Sequence, residues 1–473
     1  MEMRKGPGAG HRPPLFGGRR RFRGERPLSP RCRRCSAAAA VRTAFRLPPG
    51  AFRGTPLPGH DARTDTSRHP GRRRRRDVRM TQPHEIPVHL RRDRFDPVPE
   101  LRQQTREAPL TAADLDFGPL GQVKWLATGD AEIREVLGDL TRFSSALPDG
   151  EDGTGTRALP GNLLTCDPPD HTRLRKMVAP EFTARRTRRL EPRLHEIVAE
   201  CLNTMERVGP PADFMRHFAW PMAGLITCEL LGIPRDDRAE LARYLDVSQN
   251  DAGSPEQQTA TGKAYWAYMV TLAGRQRRDP GDGLFGSVVR AHGADISDEE
   301  LAGLGATFVS DGFLQVSSML GLGTLALLDH PDQLALLRER PELIDRAVEE
   351  LLRYVTVIHT VAPRTAREDV PVGDQVIKAG ERVACSLFAV NRAQDEAETD
   401  RFDITRQASP HMAFGYGIHH CVAAPLVKKE MAAAYPALLR KFPGLRLAVP
   451  PEEVRFRGSQ TRQFSLEALP VAW

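Results

Sequence analysis

The sequence has little that would cross-link a protein covalently or anchor it in a bilayer. Its seven cysteines, Cys32, Cys35, Cys166, Cys201, Cys228, Cys385 and Cys421, are scattered over 473 residues, and their spacing gives no disulfide framework. Only Cys32 and Cys35 lie close together, and no later Cys/His cluster completes a zinc site around them. This usage suits a reducing compartment, so a cytoplasmic location and no membrane partner are expected. No unbroken apolar run approaches the ~20 residues of a membrane-spanning helix. Flavin and iron–sulfur motifs are also missing, so any redox chemistry would draw its electrons from another protein.

Charge is present but unevenly placed. The net charge is +7, yet residues 1–79 carry 22 Lys and Arg against 5 Asp and Glu, which leaves 46 against 56 for the remainder. An acidic body therefore follows a basic leader. The leader is rich in Arg, Gly and Pro, and such a composition buries too little surface to offset chain entropy, so disorder is expected. A nucleic-acid-binding arm is the functional alternative, and it is not the reading adopted. Met80 opens Met-Thr-Gln-Pro-His-Glu-Ile-Pro, and the native chain is expected to begin there, with residues 80–473 as one domain.

The most informative stretch is Met412-Ala-Phe-Gly-Tyr-Gly-Ile-His-His-Cys421, followed by a helical run from Ala424 to Leu439. Two glycines allow a tight turn and close approach to a flat ligand. Phe414, seven residues before the thiol, can cover its sulfur. A cysteine at a helix N-terminus is expected to be held as thiolate by the local amide field, although one buried structural cysteine would also fit. An electron-rich thiolate is what a haem iron needs on one axial side to favour O–O cleavage.

Phe414-Gly-x-Gly-x-His-x-Cys421 resembles the haem-binding signature of the cytochrome P450 family. Three further stretches match in order over essentially all of 85–473: Asp167-Pro-Pro-Asp-His-Thr-Arg-Leu-Arg175, Glu350-Leu-Leu-Arg353, and Asn391-Arg392 followed by Arg401-Phe-Asp403. Any of these alone is weak, since a Glu-x-x-Arg pair is commonly a solvated ion pair on a helix. Together they imply the P450 fold: mainly α with a small β region, one haem domain, monomeric. The implied cofactor is haem b, its iron bound by Cys421. His171, Arg175, Arg364 and His419 are the implied propionate partners. Glu350 and Arg353 would engage Arg392 to lock the core.

Residues 298–328 form one expected helix, roughly 46 Å long, which in the family crosses the open face of the haem. Its register places Asp311-Gly-Phe-Leu-Gln315 where the family usually has Ala-Gly-x-Glu/Asp-Thr. Gly312 is kept, Leu314 replaces the acid, and Gln315 replaces the alcohol. That pair normally relays protons for O–O cleavage. Leu carries no proton, and an amide is a poor acid. Asp311, one turn from Gln315, is the substitute if it faces the haem. Ala423, where the signature usually has Gly, should tighten the following helix without preventing binding.

Substrate contacts are expected in the Gly/Asp/Thr-rich roof between Leu147 and Leu164, and at Ile358, His359 and Val361; for His359 a core role is the favoured reading. Tyr265, Trp266 and Tyr268 would meet an aromatic substrate or serve as packing. Amphipathic helices are also expected at 130–137, 186–206 and 215–231. A helix pair should fill Pro234–Gly274, with Arg275–Gly283 as a solvated connection. Lys428, Lys429, Arg173 and Lys176 form an expected basic patch for an acidic ferredoxin, itself served by a ferredoxin reductase. The expected reaction uses O2 on a small natural product in secondary metabolism. The altered helix favours oxidative C–C or C–N coupling of an aromatic cyclodipeptide, to which the C-terminus is also loosely similar. Hydroxylation of a polyketide or terpenoid is the alternative, and a non-catalytic, partner-activating protein is a distant one.

Overall fold

Ser297 starts the element around which the rest packs. Its hydroxyl accepts from the Glu300 N–H at 3.1 Å while the Glu300 carboxylate accepts from the Ser297 N–H at 2.9 Å, a reciprocal cap with Asp298, Glu299 and Glu300 in the first turn. The helix it opens runs from Asp298 to Asp329, as expected. The computed structural model describes residues 87–117, 120–147, 159–250, 255–393, 400–407, 410–457 and 463–473. The basic leader, the proposed start at Met80 and most of the roof, 148–158, lie outside these residues.

Neighbours approach this long helix closely because it offers glycines where they meet. A Cβ on Gly321 would sit 2.2 Å from Met215 Sδ, and one on Gly323 2.1 Å from the Tyr435 hydroxyl. That hydroxyl donates to Met319 O at 2.9 Å. Among the described residues this is the one helix long and apolar enough to cross a membrane by length and composition, a correction to the sequence reading. It is the core of the molecule: 72% of its most apolar window is buried inside the fold.

Helices Trp220–Leu231 and Pro255–Arg278 pack against it, with Ala184–Val208 against the first of these and Arg238–Asn250 against the second. The 215–231 segment departs from expectation. A π-helical turn, Met215–Ala219, leads into Trp220–Leu231, whose residues are all buried except Glu229. It is apolar all round because it sits between the long helix and Ala184–Val208. The expected connection at Arg275 is also helical. Arg275 pairs with Asp237 and Arg277 with Asp298, which extends the helix to Arg278.

The β region is small. Its main sheet has the strand order Leu110–Asp116, Gln122–Ala127, Arg382–Cys385, Arg364–Ala366, Phe143–Ser144. Gln122–Ala127 and Arg382–Cys385 run parallel, and the other pairs are antiparallel. The Val370–Val372 and Gln375–Ile377 hairpin turns at Gly373, where φ is +54°. The sheet edge matters for function, because Arg364 begins one strand and Ser145 follows another.

Candidate functional site

The Cys421 loop is held from both ends. Met412 N–H donates to Asn391 Oδ1 at 2.8 Å, and Cys421 N–H donates to Phe414 O at 2.9 Å. Gly415 and Gly417 have φ of +75° and +74°. At Gly417 a side chain is excluded twice over, since a Cβ would lie 2.3 Å from Leu137 O. Helix Ala424–Lys441 begins just beyond the thiol. Burial pushes the Cys421 thiol up to about 11, while the Ala423 and Ala424 amides and the Arg175 guanidinium pull it down. The amide field alone therefore does not make the thiolate; ionisation comes with a bound metal. Although Cys421 lies deep in the fold, it is only half-buried by accessible surface, so open space rather than packed neighbours meets part of it.

The long helix shows the same opening. Residues 301–306 and 316–327 are buried throughout, but Thr307, Phe308, Ser310, Asp311, Gly312, Leu314 and Gln315 are half-buried. The Asp311 carboxylate raises both the Cys421 thiol and the Tyr265 hydroxyl, so its charge reaches towards the cysteine. Gln315, four residues on, shares its helix face. Gly312 has a packing reason: a Cβ there would lie 3.0 Å from Thr227 Oγ1 on the neighbouring helix. The glycine therefore serves close helix contact. Ser317 and Ser318, one turn further, donate to Leu314 O at 3.2 and 2.7 Å, so their protons are spent on the backbone.

A third group gathers cations. His171 and Arg175 share a face of helix Asp170–Val178, whose entry is tied to the sheet edge by Ser145 N–H donating to Asp167 Oδ1 at 2.7 Å. The His171 and His419 rings lie 4.3 Å apart, and Ser145 Oγ meets His419 Nε2 at 2.8 Å. Burial, Arg175 and Arg364 push His171 down to about 4; burial, Arg364 and His171 push His419 to about 3. Burial also lowers Arg364, whose guanidinium meets Ala362 O at 2.7 Å. Both ring nitrogens of His171 are buried without a partner. The carboxylate felt by this group is Asp167, already engaged by Arg367 at 2.6 Å. Donors and positive charge thus converge without an anion of their own, which fits the two carboxylates of a haem.

A family model described as cytochrome P450 matches residues 290–454. Cytochrome P450 165A3 of Amycolatopsis orientalis is 45% identical over 383 residues, covering 81% of this chain and 96% of that protein. The chain belongs to the cytochrome P450 family. The solved structure of OxyE (CYP165D3), a P450 involved in teicoplanin biosynthesis, is 47% identical with a TM-score of 0.75, covering 82% of this chain and 100% of that one. OxyC, a P450 implicated in an oxidative C–C coupling reaction during vancomycin biosynthesis, is 41% identical with a TM-score of 0.73, covering 81% of this chain and 96% of its own. The chain is thus an oxidoreductase of the monooxygenase family whose members carry haem on a cysteine thiolate.

The charge core of this P450 differs from expectation. Arg353 Nε and Nη2 each meet the Glu350 carboxylate at 2.8 Å, both side chains almost fully buried. The second cation on Glu350 is Arg406, at 3.1 Å, and not Arg392. Arg392, fully buried, points instead to Asp96 at 2.6 Å and Asp400 at 2.9 Å, and lies over the Tyr354 ring at 3.9 Å. The two clusters are joined through backbone carbonyls: Asn391 O accepts from Arg353 at 3.1 Å, and Arg401 O, beside Asp400, accepts from Arg353 at 3.3 Å and from Arg406 at 2.8 Å.

Of the substrate candidates, Ile358 and Val361 are half-buried and Leu164 is 42% exposed. His359 takes the core role favoured for it and is no substrate contact. It is 0% exposed, stacked 5.9 Å from Phe388 and tilted against Phe464 at 5.8 Å, and presents no surface to a ligand. Tyr265 and Tyr268 serve packing, donating to Ala306 O and Asp237 at 3.2 Å each. In the expected basic patch, Lys428 pairs with Glu349 at 2.6 Å, Lys429 with Glu191 at 3.3 Å, and Arg173 with Glu300, while Lys176 is exposed. Sequence reasoning missed Arg406, Ser145 and Gln463. Each acts on a partner more than 50 residues away, and nothing in the local pattern marks it.

Proposed function

We propose that this P450 acts in secondary metabolism by oxidatively coupling aromatic groups of a peptide-derived substrate, with Cys421 as the iron ligand. The observation that carries the reading is the long helix, where Leu314 and Gln315 stand in place of an acid and an alcohol, and where Ser317 and Ser318 have committed their protons to Leu314 O. Coupling removes two hydrogens from the substrate's own X–H groups and forms one bond; like oxygen insertion it consumes O2, two electrons and two protons, but a polar X–H group of the substrate can carry those protons past Leu314 and Gln315, which do not. The involvement of OxyE in teicoplanin biosynthesis and of OxyC in C–C coupling supports a substrate bearing aromatic amino acids. A tryptophan- or tyrosine-containing cyclodipeptide is the sharper form of the proposal.

In this reading the haem, when bound, supplies one-electron oxidation driven by O2 and external electrons. His171, Arg175, Arg364 and His419 hold its carboxylates, and Gly415 and Gly417 let the backbone lie close to it. Phe414 shields the sulfur, while the Ala423 and Ala424 amides lower its basicity. Ile358 and Val361 face the substrate. Electrons arrive from a ferredoxin and its reductase in the cytoplasm. Hydroxylation is the second reading, and Asp311 favours it, because it is a carboxylate on the half-buried stretch of the long helix whose charge is felt at Cys421.

Titration of the ferric haem protein with aromatic cyclodipeptides, linear aromatic peptides, and macrolide, flavonoid and fatty-acid controls tests the substrate class through the Soret band. A saturable shift with the aromatic peptides alone is expected. Product masses under isotopically labelled O2 then separate the reactions. Loss of two hydrogens without label supports coupling, whereas one labelled oxygen, abolished by Asp311→Asn, establishes hydroxylation through Asp311. A shift with only a control ligand removes the peptide proposal.

A further inference from the structure

We propose that Gln463 is a positioning residue that sets the shape of the ligand pocket by tying three of its walls together. The C-terminal segment comes alongside the wall segment at Val357 and Ile358: Phe464 N–H donates to Val357 O at 2.7 Å, and Ile358 and Gln463 form a β-bridge. From there the Gln463 amide reaches the long helix. Its Nε2 donates to Leu314 O and to Ser318 Oγ, each at 3.0 Å. Ser318 Oγ in turn donates to the same Leu314 carbonyl at 2.7 Å. The network is closed, because each of the two amide hydrogens has an acceptor and the hydroxyl both accepts and donates. The amide orientation follows from chemistry as well, since an oxygen turned towards Leu314 O would set acceptor against acceptor.

The place of this contact gives it consequence. Leu314 occupies the position where the family's acid is missing, and its side chain belongs to the half-buried stretch that meets the internal opening. Hydroxyl groups bonded back to a helix carbonyl bend a helix, and here a third donor comes from outside the helix. The long helix at Leu314, the wall at Ile358 and the C-terminal segment therefore move as one unit. Without the amide, a bulky ligand must itself order the wall it packs against, and its affinity falls accordingly. The inference rests on reading the space beside Leu314 as the ligand pocket.

The test uses the full chain loaded with haem, in wild-type form and as Gln463→Met and Gln463→Glu. The probes are imidazole and 4-phenylimidazole, followed in the Soret band, with deuterium uptake as a readout independent of activity. For Gln463→Met, which keeps length and loses the donors, the Kd of 4-phenylimidazole should rise by about tenfold, as loss of an internal hydrogen bond implies. Imidazole should be unaffected within roughly twofold, since it makes no contact with the wall. Deuterium uptake should increase together at 314–318 and 464–466. In Gln463→Glu the ionised carboxylate faces the Leu314 carbonyl and behaves like Met, whereas the protonated acid donates again. Relative to wild type at each pH, its 4-phenylimidazole affinity should therefore recover towards acid pH, which a purely structural defect would not do. Equal shifts for both azoles, exchange confined to the C-terminal segment, or a flat pH profile in Gln463→Glu each overturn the proposal. If wild-type protein responds to neither azole, the pocket reading fails, and coupled exchange at the two segments still decides the role of Gln463.

Discussion

Two groups of basic side chains in this P450 are balanced in opposite ways. Arg353, Arg406 and Arg392 carry their own acids: Glu350 lies between the first two, and Asp96 and Asp400 flank the third. His171, Arg175, Arg364 and His419 converge with only Asp167 nearby, a carboxylate already paired with Arg367, and the burial of each is felt as a lowered affinity for protons. A chain that closes one cluster and leaves the other open separates a structural device from a binding one. Charges that serve the fold are matched within it, whereas charges that serve a ligand are left for the ligand to match.

The comparison breaks most visibly at Glu350. Glu350→Ala leaves two guanidinium groups facing a hole where their carboxylate was, and removing one partner of a buried pair costs about 3–5 kcal/mol. Urea unfolding of the haem-loaded variant should show that loss, and a change below ~1 kcal/mol, the scale of a surface pair, would mean the cluster is structurally idle.

Glu430 offers a third condition: one buried acid, with its Oε2 unpartnered and its carboxyl pushed up to about 8 by burial. Its folded value lies above the ordinary 4.5, so the unfolded chain ionises first as pH rises. Stability should then be lost progressively between pH 4.5 and 8. Glu430→Gln should flatten that slope and gain about 3 kcal/mol at pH 7, with no gain near pH 4. Parallel pH slopes for the two proteins would show that the carboxyl is solvated after all.

What was legible in the sequence follows from how local each feature is. The Phe414–Cys421 loop and the register of the long helix are contiguous, and the structure supplied their geometry without moving a residue. The closed charge cluster was half legible. Glu350 and Arg353 share a helix, but Arg406 comes from a loop 56 residues on, and Arg392 was drawn to Asp96 and Asp400 by chain paths that no periodicity announces. His359 was legible as a core residue beside a substrate candidate, because successive residues of an extended segment face opposite ways. Ile358 keeps surface towards the opening, and its neighbour turns into the core between Phe388 and Phe464. Trp220–Leu231 was taken for amphipathic because its burial on every side depends on the helices around it.

The smallest expected effect is the one that most sharpens the contrast, because its sign reverses between two measurements. Arg364 begins the strand Arg364–Ala366, is 3% exposed, and gives its Nη1 to Ala362 O at 2.7 Å. In the haem-free chain it is a desolvated charge, and an apolar side chain of similar length in its place should leave stability unchanged or slightly raised. Arg364→Met should therefore unfold in urea no earlier than wild-type apoprotein, unlike Glu350→Ala. Haem retention should move the other way: transfer of haem to an apoglobin acceptor should become about tenfold more favourable, or ~1.4 kcal/mol, because one charge-assisted contact to a carboxylate is gone. A loss of apoprotein stability comparable with that of Glu350→Ala would place Arg364 in the fold's own balance of charge, and the open cluster would then be a closed one whose partner lies elsewhere.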